Sequence, residues 1–194
     1  MIEAEAIVVG GGPAGSTCAR ELARRGIGVL ILDKRAFPRN KLCAGWITPK
    51  VLSDLEITPD TYPYGMAAYN RIHFRFKNLP VPVPTRQFAI RRYEFDHFLV
   101  SRADVKLYQH RVQRVCRRNG CFIIDDAFRC KWLVGAGGTH CPVYRAFFIG
   151  RHSRDPKNCV AAVEEEFSSQ WRDPRCRLWF FQNRLPGYSW YVPK

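Results

Sequence analysis

A chain of 194 residues with 31 basic against 17 acidic side chains, a formal charge of +14, attracts polyanions and anionic lipid headgroups. Its length allows one substantial core or two small ones, its apolar fraction of 46% excludes disorder, and no apolar run reaches the length of a membrane span. The acidic start Met1-Ile2-Glu3-Ala4-Glu5 is not that of a signal peptide, so a cytoplasmic protein is expected, with its eight cysteines reduced and most of them serving as small core residues.

The first element is a short apolar strand over residues 4–9, which runs into Gly10-Gly11-Gly12-Pro13-Ala14-Gly15-Ser16. A helix follows, with Ala14, Cys18 and Leu22 on its apolar side and Arg20, Glu21, Arg24 and Arg25 opposite, ending at Gly26. A second apolar strand, 28–33, closes on Asp33. Strand, glycine turn, helix, strand and terminal acid together form a dinucleotide-binding βαβ unit. Gly10 serves the tight turn, Gly12 the approach of a pyrophosphate, and Gly15 the close packing of helix on strand. The helix N-terminus offers amides to the diphosphate, and Asp33 offers a carboxylate to the adenosine ribose.

A long loop, Lys34 to Gly45, leads to a helix over Thr48–Leu55 with Thr48 as its cap. The alternation of Ile72, Phe74 and Phe76 with His73, Arg75 and Lys77 predicts a half-buried strand. Pro80, Pro82 and Pro84 predict an extended connection outside any sheet, and Phe88–Ile90 a further strand. A helix is expected from Arg92 to about Ala103 with Phe95, Phe98 and Leu99 inward, then strands over 105–108 and 111–116 and a hairpin turning at Asn119-Gly120. Cys116, Cys121 and Cys130 fall on neighbouring strands without the ligand spacing of a zinc site, so no metal is expected. Lys131–Val134 enters a second glycine turn, Gly135-Ala136-Gly137-Gly138, and three strands are expected beyond it, over 160–167, 177–181 and 188–192. The basic residues are scattered without a long block, which argues against specific nucleic-acid binding.

The glycine fingerprint at 10–16, the loop Phe37-Pro38-Arg39-Asn40-Lys41-Leu42-Cys43-Ala44-Gly45, the segment Arg91-Arg92-Tyr93-Glu94-Phe95-Asp96, the turn Gly135–His140 and the terminal Tyr188-Ser189-Trp190-Tyr191-Val192-Pro193 stand in one order. In that order the chain resembles geranylgeranyl reductases, FAD enzymes of the para-hydroxybenzoate hydroxylase fold. The resemblance implies a cofactor-binding set of Gly10, Gly12, Pro13, Ala14, Gly15, Asp33, Lys34, Arg39, Cys43, Ala44, Gly45, Arg92 and Val112. Ala14 would lie at the FAD pyrophosphate, Cys43–Gly45 near the isoalloxazine or ribityl chain, and Val112, on a strand, at the adenine side. Arg39 and Lys41 would supply cations for phosphate or for the anionic reduced flavin. Read from the residues alone, Cys43 also fits as core filler and Arg39 as a solvated loop charge. Asp96 reads as an acid stabilising the N-terminus of its helix and His140 as structural. The second glycine turn departs from the family, with Gly137 where an acid is usual.

Tyr188, Trp190 and Pro193 match an aromatic motif that lines the isoprenoid site in that family, with Val192 in place of a Phe. Tyr188, Trp190 and Val192 share one strand face and would form an apolar wall, although a sheet packed on its own core gives the same pattern. The expected class is therefore α/β, a Rossmann-like FAD-binding domain over 1–66 and 91–150 with a partly antiparallel substrate-side subdomain over 67–90 and 151–194. Family members run further, so the chain reads as truncated at its C-terminus, without a later Gly-Asp flavin segment, and is expected to hold FAD weakly. The expected activity is hydride transfer from reduced FAD to an apolar alkene, with NAD(P)H as a candidate donor, a lipid-like substrate and peripheral membrane contact as an option. The alternatives are a monooxygenase or halogenase of the same fold, or an inactive flavin-binding fragment. No catalytic acid or base is identified.

Overall fold

The computed structural model describes residues 1–77, 79–150, 155, 159–168, 170, 173–182 and 187–194. In chain order its elements begin with β1 (Ile2–Val9), α1 (Pro13–Arg24), β2 (Val29–Asp33), β3 (Trp46–Ile47), α2 (Pro49–Asp54), β4 (Met66–Phe76), β5 (Leu79–Ile90) and α3 (Arg92–Arg102). They continue with β6 (Lys106–Gln109), β7 (Val115–Arg118), β8 (Cys121–Ile124), β9 (Phe128–Gly135), α4 (Pro142–Phe147), β10 (Cys176–Phe180) and β11 (Tyr188–Tyr191). The chain divides into two compact units, residues 1–39 with 96–161 and residues 40–95 with 162–194. These borders differ from the expected ones chiefly because β3 pairs with β5, Trp46 opposite Ala89, which draws 40–66 into the second unit.

In the first unit a six-stranded sheet runs β6-β2-β1-β9-β8-β7, parallel over β6, β2, β1 and β9, with β8 and β7 antiparallel. Both faces of its centre are covered. Ile7, Val9, Leu30 and Leu32 enter one core cluster, while Val8 and Ile31 enter another with Ala19, Val100 and Ala103. Two-sided burial is why β1 and β2 read as unbroken apolar runs. The buried stripe of α1 is Gly15, Ser16 and Ala19, small residues that bring the helix close to the sheet. Cys18 and Leu22 only flank that stripe, and Ala14, expected inward, is exposed.

Asn119 and Gly120, both at positive φ, form the two-residue turn of the β7–β8 hairpin as expected. The strand expected at 111–116 begins only at Val115, so Val112 sits on a connecting segment with its side chain buried in the core. Asp125, in the β8–β9 turn, explains the displacement. Its carboxylate accepts hydrogen bonds from the Arg114 amide (2.6 Å) and the Gln113 amide (3.1 Å) and lies 2.7 Å from His110 Nε2, so that backbone bonds to a side chain and not to a ladder.

Burial works against the Asp125 charge, but the Arg114 amide, His110 and the Gln113 amide overcome it and hold the carboxyl below its usual range. A lowered folded value means that this stabilisation is fully present above the unfolded Asp pKa of about 3.9 and is lost as pH falls through the folded value. Asp125→Ala leaves two amides without their acceptor and is expected to cost roughly 1–3 kcal/mol at neutral pH. Urea melts should show the gap between wild type and variant closing below the carboxylate range.

In the second unit a five-stranded sheet runs β11-β10-β4-β5-β3. It is mixed, with β10 parallel to β4 and the other neighbours antiparallel. The proline run lies inside β5, not in a connection: Pro80, Pro82 and Pro84 stand opposite Arg75, His73 and Arg71. Alternate residues of a strand send their N–H groups to opposite edges, so prolines spaced by two remove donors from one edge only. Among the described residues, β5 has a strand on its side away from β4 only at Phe88 and Ala89, so donors missing from that edge leave no ladder bond unmade.

The strand expected at 160–167 is absent. Val160 and Val163 are 90% and 93% exposed, and the acids that follow form ion pairs in place of a ladder, Glu166 with Arg91 at 2.8 Å and the largely buried Glu164 with Lys194 at 3.7 Å. No described helix is long and apolar enough to cross a membrane. The described residues contain no cluster of groups able to hold a metal ion.

Candidate functional site

The site of the first unit is built where β1 and β9, parallel neighbours, both end on glycine turns. Gly10, at φ +110°, donates its N–H to Leu32 O at 2.8 Å, and a Cβ there would lie 2.5 Å from Ala136 O. The Ala136 N–H donates back to Val9 O at 2.8 Å. A Cβ at Gly15 would lie 1.8 Å from Gly10 O. Gly10 and Gly15 are therefore required by the protein's own packing. Gly12 differs, since a Cβ there would meet nothing closer than Arg39 Nη2 at 3.5 Å, an ordinary contact. The Gly12 face is thus open to close approach, beside the N-terminus of α1, which has no side-chain cap.

Asp33 is 7% exposed at the end of β2. Its Oδ2 accepts the Gly11 N–H at 2.8 Å and its Oδ1 the Arg35 N–H at 3.0 Å, which fixes the carboxylate against the turn with lone pairs remaining for hydroxyl donors. The His110 N–H reaches Asp33 O at 2.7 Å, bringing the segment that carries Val112 to the end of β2. Arg39 stands beside Gly12 with its guanidinium 4.7 Å from the Phe37 ring, 3.8 Å from Asp33 Oδ2 and 3.4 Å from Asp96 Oδ2. Asp96 is fully buried in α3, past the helix's first turn, and faces Arg39. This replaces the expectation that it serves the helix N-terminus. The residue was legible, but its partner was not. Lys34 is exposed.

Below the two turns opens a cavity of about 630 Å³ lined by Ala14, Val134, Gly135, Ala136 and Tyr144 among others. Gly137, the position at which the sequence departs from the resembled family's acid, packs on Cys141, and a Cβ would lie 3.1 Å from the Cys141 Cα. An open Gly12 face, uncapped helix amides and a locked acid at the strand end fit the adenosine diphosphate half of a dinucleotide.

Cys43, Ala44, Gly45, Arg92, Tyr188, Trp190 and Pro193 belong to the second unit. Gly45 pairs with Ile90, whose N–H donates to Gly45 O at 3.0 Å, and a Cβ at Gly45 would lie 2.0 Å from Ile90 O. Cys43 is half-buried and Arg92 opens α3. Tyr188 and Trp190 share a sheet face with Phe180, Phe76 and Phe74, at ring separations of 5.9 Å (Tyr188–Trp190), 5.4 Å (Tyr188–Phe180), 4.9 Å (Phe180–Phe76) and 6.0 Å (Phe180–Phe74). Val192 packs on the buried end of that face. Pro193 lies past β11, and its carbonyl accepts the Tyr69 hydroxyl, whose pKa burial raises. Burial also pushes the thiols of Cys130 and Cys176 up to about 11, which suits core residues and not nucleophiles.

Comparison with known proteins gives these features a family. A family model described as FAD dependent oxidoreductase matches residues 5–170. The menaquinone reductase of Mycolicibacterium smegmatis is 43% identical over 219 residues, covering 98% of this chain and 52% of that protein. Digeranylgeranylglycerophospholipid reductase 1 of Methanopyrus kandleri is 25% identical over 207 residues, covering 100% and 55%. The solved structure of a geranylgeranyl bacteriochlorophyll reductase-like protein from Thermoplasma acidophilum matches with a TM-score of 0.72 at 19% identity, covering 100% of this chain and 54% of that one, a likeness of fold. The chain spans about half the length of the curated relatives it matches. With the glycine turn, the strand-end acid and the parallel sheet all inside the matched residues, the chain belongs to the FAD-dependent oxidoreductase family.

Proposed function

We propose that the protein reduces carbon–carbon double bonds of a polyprenyl, lipid-like substrate, with FAD held at the glycine turns of the first unit. The observation that carries this reading is the face of the second sheet. Phe74, Phe76, Phe180, Tyr188 and Trp190 lie in register there, and the residues between them on that face (Ile72, Cys176, Leu178) are apolar too. A flexible hydrocarbon needs such a surface, one that gains from burial and whose polar groups are confined to the Tyr188 hydroxyl and the Trp190 indole N–H at its β11 margin. The names of the two reductase relatives support the same substrate class.

When bound, FAD supplies hydride from its reduced ring, and we assign NAD(P)H as the source of electrons. The protein's share is binding and orientation. In this reading Gly10, Gly12, Pro13, Ala14 and Gly15 hold the diphosphate, Asp33 accepts the ribose hydroxyls, and Lys34 and the Val112 segment flank the adenosine. Cys43, Ala44, Gly45 and Arg92 serve the flavin half, while Tyr188, Trp190 and Pro193 border the hydrocarbon. The excess of basic residues favours peripheral contact with an anionic membrane that carries such a substrate.

The test is anaerobic turnover of FAD-loaded protein with NAD(P)H and a geranylgeranyl lipid, followed by mass spectrometry. The expected product gains two hydrogens for each double bond reduced. The same turnover repeated in air with added halide, if it consumed oxygen and gave a hydroxylated or halogenated product, would instead assign monooxygenase or halogenase chemistry, and protein that stays colourless with added FAD would remove the reading altogether.

A further inference from the structure

We propose that Asp96 is a positioning residue for the cofactor's diphosphate, acting by holding the Arg39 guanidinium over the Gly10–Gly12 turn. The proposal rests on the FAD reading above. It assigns Arg39 to the diphosphate and not to the flavin ring, and it gives a role to a buried carboxylate that reading leaves unused.

Asp96 is 0% exposed, and a carboxylate with no access to water persists as an ion only beside a compensating charge. Arg39 supplies one, with Nη1 at 3.4 Å from Asp96 Oδ2. The guanidinium is bounded on further sides by the Phe37 ring at 4.7 Å and by Asp33 Oδ2 at 3.8 Å, too long for a hydrogen bond. Its Nε is buried and has no hydrogen-bond partner among the described residues. Its Nη2 lies 3.5 Å from where a Gly12 Cβ would stand, at a glycine of the turn that the protein's own packing does not require.

A planar cation with donor capacity to spare, fixed beside uncapped helix amides, is suited to a phosphodiester oxygen. Asp33 cannot do the holding alone, because its Oδ2 stands 3.8 Å from Arg39 Nη2, beyond hydrogen-bond range. Without Asp96 the long side chain would lose its charged anchor and recover rotamer freedom, and binding would then have to restore the order.

The test titrates the protein calorimetrically with ADP and with adenosine, which lacks phosphate. Asp96→Asn is expected to weaken ADP binding about tenfold and leave adenosine within about twofold. Arg39→Met should weaken ADP by at least as much, and the double variant no further than Arg39→Met alone, because the two residues act as one unit. Equal losses for ADP and adenosine would mean a merely structural role for Asp96, and tighter ADP binding by Asp96→Asn would mean that Asp96 acts as a competing anion. Either result overturns the proposal, as would Asp96→Asn binding ADP like wild type. Wild-type protein that binds neither ADP nor FAD would instead bring down the cofactor reading on which the proposal stands.

Discussion

Gly15→Ala is expected to destabilise the first unit strongly, whereas Gly12→Ala should fold normally and bind its cofactor far more weakly. The added methyl at Gly15 would stand 1.8 Å from Gly10 O and 3.1 Å from the Ala136 Cβ, so α1 would have to lift away from both strand ends. Neither neighbour is the end of a flexible side chain, so strain is relieved only by moving backbone. A loss of at least about 3 kcal/mol follows, and with it a fall of roughly 6–12 °C in melting midpoint for a chain of this size. The added methyl at Gly12 has only the Arg39 guanidinium at ordinary contact, so the melting midpoint should hold. That methyl occupies the face offered to the diphosphate, and FAD affinity should fall about 100-fold, or about 2.7 kcal/mol. Thermal melts followed by circular dichroism, paired with flavin fluorescence titrations, separate the two effects. A Gly12→Ala variant that binds FAD like wild type would mean that nothing lies against that face.

The contrast shows which parts of the site could be read from the chain. β1, the glycine turn, α1, β2 and Asp33 are contiguous, and each obeys a local rule of run length, turn chemistry or helix period, so their order alone carries the geometry. The same locality makes the Asn119-Gly120 hairpin and the Thr48 cap legible, the latter with Val51 N donating to Thr48 Oγ1. What local rules miss is pairing between distant segments. Arg39 meets Asp96 only because α3 returns to the first unit, and nothing near either residue announces it. Asp125 takes the amides of Gln113 and Arg114 out of the sheet and so erases a strand that the side-chain pattern of 111–116 supports. The prolines of β5 mislead for a related reason: whether a missing donor matters depends on which edge faces a neighbour, and that is a property of the sheet.

The aromatic face is the case in which distant pairing enlarges what the chain suggests. Tyr188 and Trp190 are recognisable as a wall from their alternation, but the register Phe76 opposite Phe180 and Phe180 opposite Tyr188 extends it across three strands, with Phe180 at its centre. Phe180 touches the rings of Phe74, Phe76, Phe181 and Tyr188 at 4.9–6.1 Å. Phe180→Ala is therefore expected to destabilise the second unit by roughly 2–3 kcal/mol, below the cost of a fully buried phenylalanine because the face is half-open. Phe181, 61% exposed at the margin, should cost less than about 0.5 kcal/mol when truncated. If the face carries a polyprenyl chain, Phe180→Ala should lower kcat/KM for a geranylgeranyl substrate about tenfold more than for a geranyl one, because only the longer chain spans the gap left by the missing ring. Equal losses for the two chain lengths would show that the ring supports the sheet alone, and the hydrocarbon would then have to lie elsewhere.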